Sequence, residues 1–184
     1  MRFTTFVRSV LLALSACYLL GCNDSSPEPV QPQEYTISAP SNPVYYGPGV
    51  ALSPLIGVPA QLDNGQIIFV DDVFDFEYQF GTSYELRLVT FQTSDGTTYF
   101  KLVEVISAEP DAIGTSYIYS DVELTRGSFT EKSSGVFGFF GYSFLCAQNL
   151  DCASLVAISQ SGGLVEVEFD YTGGAVPITL VRWN

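Results

Sequence analysis

From Glu34 to the C-terminus, apolar and polar residues alternate in short runs between Gly, Asn, Asp and Pro, and no window carries a helical period. A period of two marks half-buried strands. Phe74, Phe76, Tyr78 and Phe80 fall on one face of such a run, with Asp75, Glu77 and Gln79 on the other. Tyr84–Gln92 and Thr97–Ile106 flank Asp95-Gly96, a dipeptide suited to a type I′ hairpin turn. With Ser94 opposite Thr97, Phe91 faces Phe100, Val89 faces Leu102, Leu88 faces Val103 and Arg87 faces Glu104. The charged pair contributes about 0.2–1 kcal/mol, and a slip of one residue loses all of these matches. Further strands are predicted over Ser116–Thr125, Gly135–Cys146, Cys152–Ser159, Leu164–Tyr171 and Pro177–Trp183. Turns at Ser161-Gly162-Gly163 and Thr172-Gly173-Gly174 join the last three. The series predicts an all-β fold, an antiparallel sandwich or barrel of about nine to ten strands built from hairpins. Its two parts, 34–109 and 110–184, are expected to pack as one body.

Upstream of Glu34 the pattern changes. Arg2 and Arg8 precede an apolar run from Val10 to Leu20, which ends in Leu19-Leu20-Gly21-Cys22. A charged start, a short apolar core and a small residue before a cysteine make an export signal over residues 1–21 with a bacterial lipobox. Cleavage before Cys22 leaves that cysteine to carry lipid. The run is too short for a membrane anchor, which takes about 20 apolar residues. A plain secretory signal is the competing reading, but polar Asn23-Asp24-Ser25-Ser26 follows the cysteine at once. Asn23 is not the aspartate that commonly retains lipoproteins in the inner membrane, so the outer membrane is the expected address, on its periplasmic or its surface face. Ser25–Gln33, rich in proline and polar residues, completes a flexible linker over 22–33.

Removing residues 1–21 leaves 163 of the 184 residues. It also takes away two arginines and no acids, so the net charge moves from −13 to −15. Phosphate recognition needs clustered Lys and Arg, and nucleic acid is excluded as a partner on that ground. Of four cysteines, Cys17 leaves with the signal and Cys22 is lipidated. Cys146 and Cys152 remain and are expected to pair in an oxidising compartment, stapling the mouth of a hairpin around Ala147–Asp151. So short a ring contributes on the order of 2 kcal/mol.

Phe76-Glu77-Tyr78-Gln79-Phe80-Gly81-Thr82-Ser83-Tyr84-Glu85-Leu86-Arg87-Leu88 fits F-x-Y-x-x-G-x-x-Y-x-L-x-[VL], and Tyr99–Ser107 follows as Y-x-x-L-V-x-V-I-S. Over roughly Tyr35–Ser107 the chain resembles an uncharacterised domain family of bacterial lipoproteins often found beside META/HslJ-type domains. The resemblance implies a small β-rich envelope domain, with no catalytic residues to carry over. This chain lacks the family's cysteine pair upstream of the motif. Phe169-Asp170-Tyr171-Thr172-Gly173-Gly174 repeats F-x-Y-x-x-G, but Pro177 stands where the motif wants tyrosine and the chain ends before a second hairpin strand.

The chain has no histidine, which removes the commonest general base and the usual nucleophile partner. Lys101 and Lys132 are left for a Ser-Lys arrangement, and Lys132-Ser133-Ser134 reads as a loop without the S-x-x-K order. Asp71, Asp72, Asp75 and Glu77 crowd one segment, but Asp75 and Glu77 alternate with aromatics as a solvated strand face does, and the spacing lacks the ladder of a Ca²⁺ loop. No metal site, no cofactor and no catalytic activity are expected. The run Val136–Phe144 is apolar on both faces, as in a strand covered on both sides, with Gly138 and Gly141 letting rings approach. Core is the leading reading. If the domain has a binding surface, Phe137, Phe139, Phe140, Tyr142 and Phe144 are the candidates. The expectation is a lipid-anchored envelope protein that binds a protein partner as adaptor, inhibitor or assembly factor. The alternative is a small-ligand or glycan binder with an aromatic cleft.

Overall fold

Thirteen strands and one short helix follow one another among the residues that the computed structural model describes, 31–47 and 53–184. The first half contributes β1 (Glu34–Ala39), β2 (Val44–Tyr46), β3 (Leu55–Gly57), β4 (Pro59–Gln61), β5 (Ile67–Phe69), β6 (Thr82–Gln92) and β7 (Thr98–Pro110). The second contributes β8 (Ser116–Glu123), β9 (Phe129–Ser133), β10 (Val136–Phe139), β11 (Tyr142–Cys146), α1 (Cys152–Ala157), β12 (Leu164–Tyr171) and β13 (Ile178–Trp183). The all-β expectation holds. The predicted signal peptide 1–21, Cys22 and the linker as far as Val30 lie outside the described residues. Gln33, the last predicted linker residue, already exchanges hydrogen bonds with Thr90 of β6.

β1, β6 and β7 form an antiparallel sheet in that order, and β2–β3 and β4–β5 are two small ladders beside it. The second half forms a six-stranded sheet, ordered β8-β12-β13-β11-β10-β9 and curled into a half-barrel. Its one parallel pair is β11–β13. A parallel pair needs a long crossover, and α1 with β12 supplies it.

Each sheet covers its own apolar cluster. Ile37, Val58, Val70, Leu86 and Leu88 fill the first, and Phe129, Phe139, Phe144, Phe169, Ile178 and Leu180 the second. Each such side chain stabilises the fold by about 1.5–3 kcal/mol when fully buried. β12 shows how the pattern works: Val165, Val167, Phe169 and Tyr171 are buried while the residues between them are not. The clusters meet through the segment before β6, where Phe80 enters the second cluster and Tyr78 packs against both.

Several expectations need correction. Phe74–Phe80 is an irregular extended segment, because Asp75 takes a left-handed conformation (φ 62°) and breaks the alternation. Phe76, Tyr78 and Phe80 turn inward as expected, whereas Phe74 turns out. The β6–β7 hairpin closes over three residues, Ser94-Asp95-Gly96, with Thr93 bonded to Thr97 and only Gly96 at positive φ. Phe91 therefore faces Tyr99, Thr90 faces Phe100 and Leu88 faces Leu102, until a bulge restores Arg87 opposite Glu104. These two side chains form an ion pair.

Gly135–Cys146 is two strands, β10 and β11, joined at Phe140-Gly141 with both residues at positive φ. Gly138 makes room for Thr130 and Lys132 rather than for rings. Finally, Cys152–Ala157 is helical. The Asp151 carboxylate caps it by accepting from the Ser154 backbone N–H at 3.0 Å, and Cys152 and Leu155, one turn apart, are its buried face. The Cys146–Cys152 disulfide, with Cα atoms 6.1 Å apart, thus ties the end of β11 to the start of α1 rather than closing a hairpin.

Candidate functional site

Of the five aromatic residues predicted as a binding surface, three are interior. Phe139 and Phe144 are fully buried and Phe137 nearly so. Phe139 lies 5.2 Å from Phe129 and from Phe169 between ring centroids, and Phe144 lies 5.3 Å from Phe169. Alternation along β10 and β11 points these rings at the core. Phe140 and Tyr142, at and just after the hairpin tip, are only partly buried and border a groove at the junction with the first half.

That junction is held by a hydrogen-bonded carboxylate. The Tyr142 hydroxyl donates to Asp71 Oδ1 at 2.6 Å, and the Val58 backbone N–H donates to Asp71 Oδ2 at 3.0 Å. Tyr78 completes the seam by donating to the Pro40 carbonyl at 2.9 Å. Burial pushes the phenols of Tyr78 and Tyr142 well above the usual tyrosine range, and donation to Asp71 raises that of Tyr142 further.

A larger concavity lies elsewhere. A cleft of about 610 Å³ opens between segment 67–74 and the start of β7, with Phe69, Asp72, Phe74, Tyr99 and Phe100 in its lining. Phe74 bonds β7 like a short parallel strand: its N–H donates to the Phe100 carbonyl and its carbonyl accepts from Leu102, each at 2.9 Å. The left-handed turn at Asp75 then carries the chain away from β7. Phe74 is left 49 % exposed, set edge-on against Phe91 and Tyr99 at 5.3 and 5.4 Å. Phe91 and Tyr99 stack on each other at 5.6 Å, which makes the three rings one contiguous aromatic platform. Ile67, 64 % exposed, extends its apolar rim. Asp75 pairs with Lys101 at 3.0 Å and Asp71 serves Tyr142, while Asp72 forms neither an ion pair nor a side-chain hydrogen bond among the described residues.

The acidic segment does not gather around a point. No three Cys, Asp or Glu side chains converge among the described residues. One serine does meet a lysine: Lys132 Nζ donates to Ser143 Oγ at 2.9 Å and also to the Gly141 carbonyl. Lys132 sits near the end of β9 rather than in a loop. A Ser-Lys pair acts as nucleophile and base where the lysine is desolvated, and Lys132 is exposed. The cleft offers rings and carboxylates, which suit holding a ligand.

Comparison with known proteins adds no relative: no family model, no curated protein and no solved structure matches this chain.

Proposed function

We propose that this chain is a lipid-anchored protein of the bacterial envelope that works by binding, and that the cleft beside Phe74 receives an extended, basic segment of a protein partner. The single observation that carries the reading is Phe74 itself. A large apolar ring held half-exposed on a contiguous aromatic platform, beside a concavity, is the kind of anchor surface that interfaces use. Charge supplies the partner's chemistry. Asp72 lies in the lining with no cation paired to it among the described residues, and a chain of net charge −13 draws basic partners and repels acidic ones. The chain's lack of histidine weighs against the commonest acid–base chemistry. The lipobox at Leu19–Cys22 and the Cys146–Cys152 bridge support an exported, oxidising setting. Tethered by Cys22, the domain would meet envelope partners at a raised effective concentration.

Photo-crosslinking in living cells tests this reading. A benzophenone side chain at Ile67, on the cleft rim, is expected to capture one dominant protein through a Lys- or Arg-rich segment. The same group at Ile118, exposed on β8, is expected to capture none. No adduct at Ile67, or the same adducts at both positions, refutes the cleft as the recognition surface. Cys22→Ser is expected to release the protein from the membrane fraction and to weaken capture at Ile67.

A further inference from the structure

A second concavity, of about 470 Å³, lies where Glu77–Phe80 passes β11, and its chemistry differs from that of the cleft. Its lining holds one cation and one anion, Lys132 and Glu77, which form no ion pair with each other. The described residues contain five cationic side chains, of which Arg87, Lys101 and Arg182 are neutralised by carboxylates. Lys132 is instead held by two neutral acceptors, the Gly141 carbonyl and the Ser143 hydroxyl. An ammonium has three N–H donors, so one remains for a ligand. Glu77 takes no hydrogen bond and no ion pair among the described side chains. Aromatic side chains line the same pocket and are held in place. Tyr142 lies 5.7 Å from Phe80 and 6.1 Å from Tyr78, and Tyr78 lies 5.8 Å from Tyr84. Phe80 is rooted in the core, and Tyr78 and Tyr142 are fixed by their hydroxyl bonds to Pro40 and Asp71. Walls already ordered spare a ligand the cost of ordering them.

We propose that this pocket binds a small zwitterion, an amino acid or short peptide with free amino and carboxyl groups and an apolar side chain. The ligand carboxylate accepts from the spare N–H of Lys132. The ligand ammonium donates to the Glu77 carboxylate, and the side chain rests against Tyr78, Tyr84 and Tyr142. This site is separate from the cleft at Phe74, and the two readings stand or fall independently. A neutral sugar can hydrogen-bond both side chains but carries no charge to complement either. A zwitterion gains from both.

The test is calorimetric titration of the full lipidated chain in detergent micelles with the dipeptide L-alanyl-L-phenylalanine. Binding with a dissociation constant on the order of 1 mM or tighter is expected. Lys132→Met and Glu77→Gln are each expected to weaken it about tenfold, the size of one lost charge-assisted contact. Blocked probes ask the same question without altering the protein. The N-acetylated dipeptide is expected to bind about tenfold more weakly and to lose its dependence on Glu77. The C-amidated dipeptide is expected to lose its dependence on Lys132. No binding heat with the dipeptide at several millimolar overturns the proposal. So does equal affinity of blocked and free probes, or competition by glucose at equal concentration.

Discussion

The Tyr142 hydroxyl donates to Asp71 Oδ1 across 2.6 Å, joining residues 71 positions apart in sequence. The other oxygen of the same carboxylate accepts the Val58 N–H, so one side chain ties the link between β3 and β4, the turn at Val70–Asp72 and the β10–β11 tip. Tyr142→Phe removes one donor to a carboxylate and is expected to cost about 1–2 kcal/mol. Asp71→Ala strands both donors and is expected to cost about 2–3 kcal/mol. In the Tyr142→Phe background, Asp71→Ala should cost less than it does alone, because the pair is coupled. Urea midpoints of the four proteins check this, and strictly additive losses would deny the coupling.

Gly81 meets Tyr171 across the two halves of the chain. A Cβ built on Gly81, whose φ is +79°, would sit 2.2 Å from Tyr171 Cδ2. Gly81→Ala therefore adds left-handed strain to a clash with a buried ring. The expected loss exceeds about 2 kcal/mol, of which left-handed strain alone supplies about 1–2. Gly96→Ala, equally left-handed but with open space around it, isolates the strain and should cost clearly less. Thermal midpoints of the two variants make the comparison.

Alkaline pH should reveal the buried phenols. Burial raises Tyr45, Tyr78, Tyr117, Tyr119 and Tyr142 above the ordinary value near 10, with Tyr117 and Tyr142 raised further by donation to Asp111 and Asp71. Their folded forms favour the proton. The stability they contribute is full below pH about 10 and is lost as pH climbs past it toward their folded values. Phenolate absorbance from these five should rise only as the fold opens. Their ionisation without unfolding would contradict the packing. At the acid end, hydroxyls of Thr93, Ser154 and Ser116 depress Asp95, Asp151 and Glu168, Arg182 adding to the last. Their contribution is present above pH about 4 and fades below it.

The Cys146–Cys152 bridge closes a short ring, so its loss should cost on the order of 2 kcal/mol. Because it anchors α1, whose Leu155 is fully buried, reduction should loosen the helix before the sheets. Amide exchange is expected to speed up over 152–157 while Phe169 and Leu180 stay protected. Uniform acceleration would show that the bridge instead holds the whole fold.

Strands with one buried and one solvated face are legible in the sequence: β12 alternates residue by residue, and the Arg87–Glu104 pair follows from the hairpin's charge match. What sequence hid was set by single backbone angles and by distant contacts. Asp75 at φ 62° throws Phe74 outward, so the ring that marks the cleft was read as inward-facing. Cys-Ala-Ser-Leu-Val-Ala is too short for a helical period to show, and its state is fixed by the Asp151 cap and the bridge. Thr93 pairs with Thr97 instead of placing Asp95-Gly96 alone in the turn, which shifted the upper hairpin by one residue. Phe140 and Tyr142 were found among the aromatic candidates, but their neighbours Asp71 and Glu77 lie in a segment far away along the chain.

The most direct test of the cleft is affinity capture from cross-linked envelopes, comparing the full lipidated chain with its Phe74→Ala and Asp72→Lys variants. Asp72 is exposed, so Asp72→Lys should leave the thermal midpoint close to that of the parent, whereas Phe74→Ala gives up its edge-on contacts with Phe91 and Tyr99 and is compared well below its own midpoint. The expected result is one dominant basic partner with the parent chain, lost with either variant. The same partner recovered in full with Phe74→Ala and with Asp72→Lys would contradict the account.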